Sequence, residues 1–331
     1  MTGTTPTPRE PDPLEFDQPR VSIRKPEHRF DSQGETPDAS RVERAMNSFV
    51  RDFGRTAAVY MESCIHCGMC AEACHFYEVT QDPKYTPIWK LEPFKQAYKR
   101  EYGPFAFVYR ALNLKPKVTV DELQQWQHLL YDSCTVCGRC SLMCPMGIDI
   151  ASLVSQARHG MFKAGLVPHE LAAVTERARR EGSPLGATPR VFKDRCEWLA
   201  DEHEVEITID KPRAEVLCAM SSIEIMKYPD SVVATARIMR HVGADWTFRL
   251  DGYEATNFGL LTGDAAAQKE LTLKIIHAAV ACGASVVVLP ECGHAYTALR
   301  WMGANMYGKP LPFKVMHIAE FLAEQVRAGK L

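Results

Sequence analysis

Eight of the twelve cysteines fall into two copies of one spacing. The first copy is Cys64-Ile-His-Cys67-Gly-Met-Cys70-Ala-Glu-Ala-Cys74, and the second is Cys134-Thr-Val-Cys137-Gly-Arg-Cys140-Ser-Leu-Met-Cys144-Pro145. Both read C-x2-C-x2-C-x3-C. Three thiolates on such a tight loop reach three irons of one cubane, and the fourth, on the helix that follows, points to the other cluster. The spacing therefore predicts two 4Fe–4S clusters with crossed ligands. One takes Cys64, Cys67, Cys70 and Cys144; the other takes Cys134, Cys137, Cys140 and Cys74. A zinc site also uses C-x2-C pairs, but it needs four ligands per ion, and this run does not match zinc-finger spacing. Gly68 and Gly138 hold matching places in the loops, where a missing Cβ allows unusual backbone angles and close approach to a cluster. Pro145 follows the second run; the first has His75 at that place.

Four cysteines remain. Cys218 closes a short apolar run, Ala214 to Cys218, and Cys292 follows another, Ala284 to Leu289. Both are candidates for a metal site or a redox thiol pair, with His294 as ligand or proton donor. A helix opening at Gly293 would lower the pKa of a thiol beside it. Together Cys218, Cys292 and His294 are the candidate catalytic group. Cys196 and Cys282 lie in helical stretches and read as small buried hydrophobes.

The elements that must carry these residues differ along the chain. Leu123, Trp126 and Leu130 stand at helical spacing behind a Thr119 cap, and residues 151–164 continue as a helix after the second motif. Residues 168–202 read as helical and charged. The cluster Glu176-Arg-Ala-Arg-Arg180 reads as a solvated helix face, with a docking face for an acidic partner as the alternative. Further on, strands at 214–218, 244–250 and 284–289 alternate with helices at 230–241, 265–281, 293–305 and 315–328. Alternation of that kind indicates parallel β-α-β units, whose ligands collect beyond the carboxyl ends of the strands. The expected fold is an α-helical ferredoxin domain with two 4Fe–4S motifs over 41–167, a helical linker over 168–212, and a parallel α/β cysteine-rich-type domain over 213–331. Residues 1–40, rich in Pro, Thr, Asp and Glu, read as a flexible tail.

Composition narrows the functional class. The 331 residues carry a net charge of −2, which provides no basic field for nucleic acid. No apolar run approaches the ~20 residues of a membrane span, and the N-terminus has no signal-peptide pattern. Clustered cysteines in a reducing compartment read as metal ligands, so a cytoplasmic location is expected.

Two ferredoxin motifs followed by an α/β segment with Pro290-Glu-Cys292-Gly-His294-Ala-Tyr296 resemble the HdrD-type family of heterodisulfide reductase. The nearest branch is the catalytic-subunit-like iron–sulfur protein of the dissimilatory sulfite reductase membrane complex. The resemblance covers about residues 50–331. It implies an electron-transfer subunit of a complex acting on a thiol/disulfide site. It further implies a haem-b membrane subunit and a small thiol/disulfide carrier as partners, and a peripheral place on the inner face of the membrane. In that family a C…CCG…C-x2-C pattern holds an additional iron–sulfur site. Here Cys218 matches its first cysteine, no cysteine lies in 251–257, and the last pair is reduced to Cys292. The family also has a second such domain, so a missing half or one supplied by another subunit is expected. Two alternatives stand beside this reading: a non-catalytic electron-transfer adaptor, and the iron–sulfur subunit of a glycolate- or glycerol-phosphate-type quinone-linked dehydrogenase.

Overall fold

A computed structural model describes residues 39–331 apart from 115–116 and 291, with no side chain described at 39, 50, 52 and 53. The expected tail over 1–40 therefore lies almost wholly outside the described residues.

The first half of the chain is helical. α1 (Ala39–Ser63) leads into the first cysteine loop, followed by α2 (Met69–Glu72) and α3 (His75–Thr80). Then come α4 (Glu92–Glu101), α5 (Ala106–Ala111) and α6 (Val120–Gln127). The Thr119 hydroxyl accepts from the Glu122 amide while the Glu122 carboxylate accepts from the Thr119 amide, a reciprocal cap that starts α6 at the expected place. A π-helical turn over His128–Asp132 delivers the chain to the second cysteine loop. After it run α7 (Arg139–Leu142), α8 (Ile150–Lys163), α9 (His169–Glu181) and α10 (Pro189–Glu202). The core of this half joins Phe49, Phe94, Leu123, Trp126, Leu130, Leu153 and Met161, all buried. Phe94 lies 4.4 Å from the Phe49 ring and 4.8 Å from Trp126. On α9, Arg179 reaches across to Glu270 at 3.1 Å, so part of the basic cluster ties helices together rather than facing solvent alone.

The second half is a parallel sheet with helices on both faces. β1 (Val216–Cys218) precedes α11 (Ser222–Lys227) and α12 (Asp230–His241), and β2 (Trp246–Phe248) precedes α13 (Phe258–Thr262) and α14 (Ala265–Cys282). β3 (Val286–Leu289) leads to α15 (Gly293–Arg300) and α16 (Gly303–Tyr307), and β4 (Lys314–His317) leads to α17 (Ile318–Arg327). The strand order is β2-β1-β3-β4, parallel throughout. Alternate residues of each strand point to opposite faces. Val216, Cys218, Phe248, Val288 and Met316 join one core; Leu217, Val287, Leu289 and Val315 join the other.

Two expectations are corrected here. The stretch 293–305 breaks at Trp301 into two helices. The stretch read as one helix over 315–328 begins as a strand, because Val315 and Met316 pair with β3 and bury opposite faces.

The halves meet through α8 and α13. Gly263, at φ +85°, lies so close to α8 that a Cβ there would sit 2.4 Å from the Arg158 carbonyl, so only glycine fits. No helix among the described residues is long and apolar enough to cross a membrane.

Candidate iron–sulfur centres

The two cysteine loops share one backbone path. Each leaves a helical segment, at Ser63 or at Asp132, and turns through C-x2-C-G into a four-residue helix. Gly68 and Gly138 cap those helices in the left-handed region, at φ 80° and 77°. Sequence reasoning foresaw these glycines but not their neighbours. His66 and Val136 also lie at φ +54°. For a β-branched valine that region is strained. A strain repeated at one position of both loops is what a bound group would hold in place. The strained turn aims an amide at sulfur: Val136 N lies 3.4 Å from Cys134 Sγ.

The loops lie side by side, and the fourth cysteine of each lies near thiols of the other. Cys134, Cys137 and Cys140 of the second motif line one pocket with Cys74 of the first. Cys70 is within electrostatic reach of Cys64 in its own motif and of Cys144 in the other. Burial pushes the Cys140 thiol up to about 12, with its neighbouring sulfurs adding to the effect. Burial raises Cys70 too, and a hydrogen bond from the Ile88 backbone opposes it. Thiols in such a setting stay protonated at neutral pH until a metal centre displaces the protons. Four cysteines from two loops, an inward amide and a shared pocket fit a cubane.

Three buried cations beside these loops were not foreseen. The Lys90 ammonium donates to the Ser133 carbonyl, directly before Cys134. It lies over the rings of Phe76 and Tyr85, at 5.2 and 5.9 Å. Burial lowers its pKa, while the sulfurs of Cys134, Cys74 and Cys140 act to raise it. The Arg158 guanidinium is wholly buried over the Tyr131 ring at 4.9 Å, and it donates to the carbonyl of Cys134 at 2.6 Å. At the first loop, Lys95 Nζ is 3.3 Å from His66 Nε2. A lysine within the apolar run Ile88-Trp-Lys90-Leu91 was the available signal, since a buried lysine needs a partner.

The residues expected to form a thiol site are dispersed. Cys218 is buried in one core of the sheet, and Cys292 packs against the core of the opposite face. Burial alone raises the Cys218 thiol far above its usual range. Cys292, half-buried, is the N-cap of α15. His294, two residues on, donates from Nε2 to the Thr135 carbonyl of the second cysteine loop at 2.8 Å. Its ring therefore docks the loop against the carboxyl end of β3, where sheets of this order hold their ligands. Cys196 and Cys282 are buried in helices, as small hydrophobes.

The loop at 251–257, where the family pattern has a double cysteine, holds Glu254 instead. Its Oε1 accepts from the amides of Ser222 and Thr256 and from the Thr256 hydroxyl, at 3.2, 3.0 and 2.8 Å. Burial pushes its pKa up from 4.5 to about 7, and those hydrogen bonds oppose the shift. The folded chain thus keeps this proton where the unfolded chain has lost it. Its effect on stability is nil below about pH 4.5, grows as pH rises and levels off above about pH 7, reaching a loss of roughly 3 kcal/mol at most. Glu254→Gln removes that component. Urea midpoints of the two proteins, compared at pH 5 and pH 8, check this; equal slopes with pH in both would refute it.

Residues 60–148 match the 4Fe-4S dicluster domain. The chain is 29% identical over 254 residues to the Hdr-like menaquinol oxidoreductase iron-sulfur subunit 2 of Archaeoglobus fulgidus, covering 73% of this chain and 45% of that protein. It is 26% identical over 278 residues to the HdrD-type chain of the dihydromethanophenazine:CoB–CoM heterodisulfide reductase of Methanosarcina mazei, covering 82% and 64%. The EtfAB:quinone oxidoreductase of Syntrophomonas wolfei is 25% identical over 311 residues, covering 85% and 42%. The chain thus spans about half the length of the curated relatives it matches. No solved structure matches it. The chain is thus similar to Hdr-like iron–sulfur subunits and to HdrD-type chains of heterodisulfide reductase, and it carries a 4Fe-4S dicluster domain.

Proposed function

We propose that this chain is an electron-transfer subunit of a heterodisulfide-reductase-like complex, holding two 4Fe–4S clusters. Cys64, Cys67, Cys70 and Cys144 bind one; Cys74, Cys134, Cys137 and Cys140 bind the other. The observation that carries the reading is the pocket lined by Cys74 of one motif and three cysteines of the other. Each cluster, when bound, takes up and gives back single electrons. The chain's own residues supply the rest. The left-handed turn of the second loop aims the Val136 amide at sulfur, Lys90 and Arg158 place positive charge beside that loop, and His294 fastens it to the sheet. Residues 41–167 act as the ferredoxin domain, 168–212 as linker and 213–331 as the α/β domain. Other subunits, a haem-b membrane protein and a thiol carrier among them, would bring the chain to the cytoplasmic face of the membrane.

The separation of Cys218 and Cys292 on opposite faces of the sheet favours a specific form of this reading. The α/β domain acts as a docking module beside the second cluster, and the thiol/disulfide chemistry is completed by other parts of the complex. One experiment tests both statements. Anaerobic reconstitution with iron and sulfide is expected to load about eight irons per chain, and Cys218→Ser/Cys292→Ser is expected to load the same number. Markedly fewer irons in the unaltered chain would defeat the two-cluster reading. A loss only in the double variant would restore a third iron–sulfur site to the α/β domain.

A further inference from the structure

The two cysteine loops are alike in backbone and unlike in electrostatic surroundings. Beside the second loop stand two buried cations. Lys90 donates to the Ser133 carbonyl between two aromatic faces. Arg158 donates to the Cys134 carbonyl. Beside the first loop, Lys95 meets the His66 ring, at 3.3 Å. An electron added to a four-thiolate cluster deepens a negative charge, so a fixed cation close by favours the reduced form. Burial strengthens that effect, because little water screens it.

We propose that Lys90, with Arg158 beside it, makes the second-motif cluster the higher-potential one of the pair. This inference rests on the two-cluster reading above. Cys64, Cys67, Cys70 and Cys144 would hold the group that gives up one electron, and Cys134, Cys137, Cys140 and Cys74 the group that gains it, with no bond made or broken. The electron would come from a one-electron donor protein and would rest beside α15, where His294 joins the loop to the sheet. The loop fastened to the sheet thus becomes the internal end of the relay, and the first loop its external port.

The test is an EPR-monitored redox titration of the iron-loaded full chain, poised with dithionite and mediators. Lys90→Met removes the charge and keeps the bulk; Lys90→Arg keeps the charge. The Met variant is expected to lower the higher of the two midpoints and leave the lower one in place. The ratio of oxidised to reduced cluster at fixed potential should change at least tenfold, about 59 mV for a one-electron couple. The Arg variant should move it by less than half as much. Lys90→Gln, which keeps a donor toward Ser133, supplies the same reading should the Met variant lose iron. An unmoved higher midpoint in a fully loaded neutral variant overturns the proposal alone, as does an equal shift in the Arg variant. An unaltered chain that loads far fewer than about eight irons overturns the two-cluster reading and this inference with it.

Discussion

Replacing Cys74 and Cys140 together with alanine is expected to leave one intact four-iron cluster, whereas replacing Cys74 and Cys70 together should leave none. The contrast follows from crossed ligation. Cys74 lies in the same pocket as Cys134, Cys137 and Cys140, and Cys70 lies within reach of Cys64 and Cys144. The first pair takes two thiolates from one cluster and spares the other. The second pair takes one thiolate from each. If each motif held its own cluster, the two outcomes would be exchanged. Iron content and the EPR of the dithionite-reduced proteins separate the alternatives without structural assignment. About four irons with one four-iron signal belongs to the Cys74/Cys140 variant alone. Both variants carry two substitutions and share Cys74, and the intact four-iron signal, not the loss of iron, carries the contrast.

The legible parts of this molecule were those fixed by local chemistry. Cysteine spacing, the Thr119 cap and the run of apolar residues at helical period each depend on neighbours within a few positions, and the elements they predicted stand in the structure. What sequence reasoning missed depends on partners far away in the chain. The segment Lys314–His317 looks helical by pattern, yet it is a strand because Val286–Leu289 lies beside it. Lys90 looks like an ordinary charged residue until Ser133, 43 positions on, offers its carbonyl. The positive φ of Val136 has no signature, since valine disfavours that region and only the fold imposes it. Cys218 and Cys292 show the converse error. Both stand at carboxyl ends of strands, as the pattern indicated, but the strand alternation and the turn into α15 send them to opposite faces.

Arg158→Met is expected to destabilise the chain by roughly 3–5 kcal/mol and to split its unfolding into two steps. The guanidinium is fully buried and donates in three directions. Nε and one terminal nitrogen reach the Leu130 carbonyl at 3.0 and 2.8 Å. The same nitrogen reaches Cys134 at 2.6 Å, and the other reaches Leu261 at 3.0 Å. Leu130 is in the π-helical turn, Cys134 opens the second cysteine loop, and Leu261 belongs to α13 in the sheet half. One side chain therefore satisfies carbonyls from three segments that no backbone pairing joins. Methionine fills the volume but donates nothing, leaving those buried acceptors to bear their desolvation cost. Other polar ties cross the junction at single points: Tyr131 to the Thr262 carbonyl at 2.9 Å, His159 to the Gly263 carbonyl at 2.9 Å, His294 to the Thr135 carbonyl at 2.8 Å and Arg179 to Glu270 at 3.1 Å. With Arg158 gone, the sheet half can outlast the helical half in urea, so iron absorbance and far-UV dichroism should lose their common midpoint. Coincident transitions, shifted by less than about 1 kcal/mol, would show that the junction is held by apolar packing instead. Because Arg158 links the loop of one cluster to the sheet that the loop docks against, its loss should also loosen the second cluster before the first. Iron release by a chelator, followed under anaerobic conditions, should become biphasic in the variant, with about half the iron leaving early.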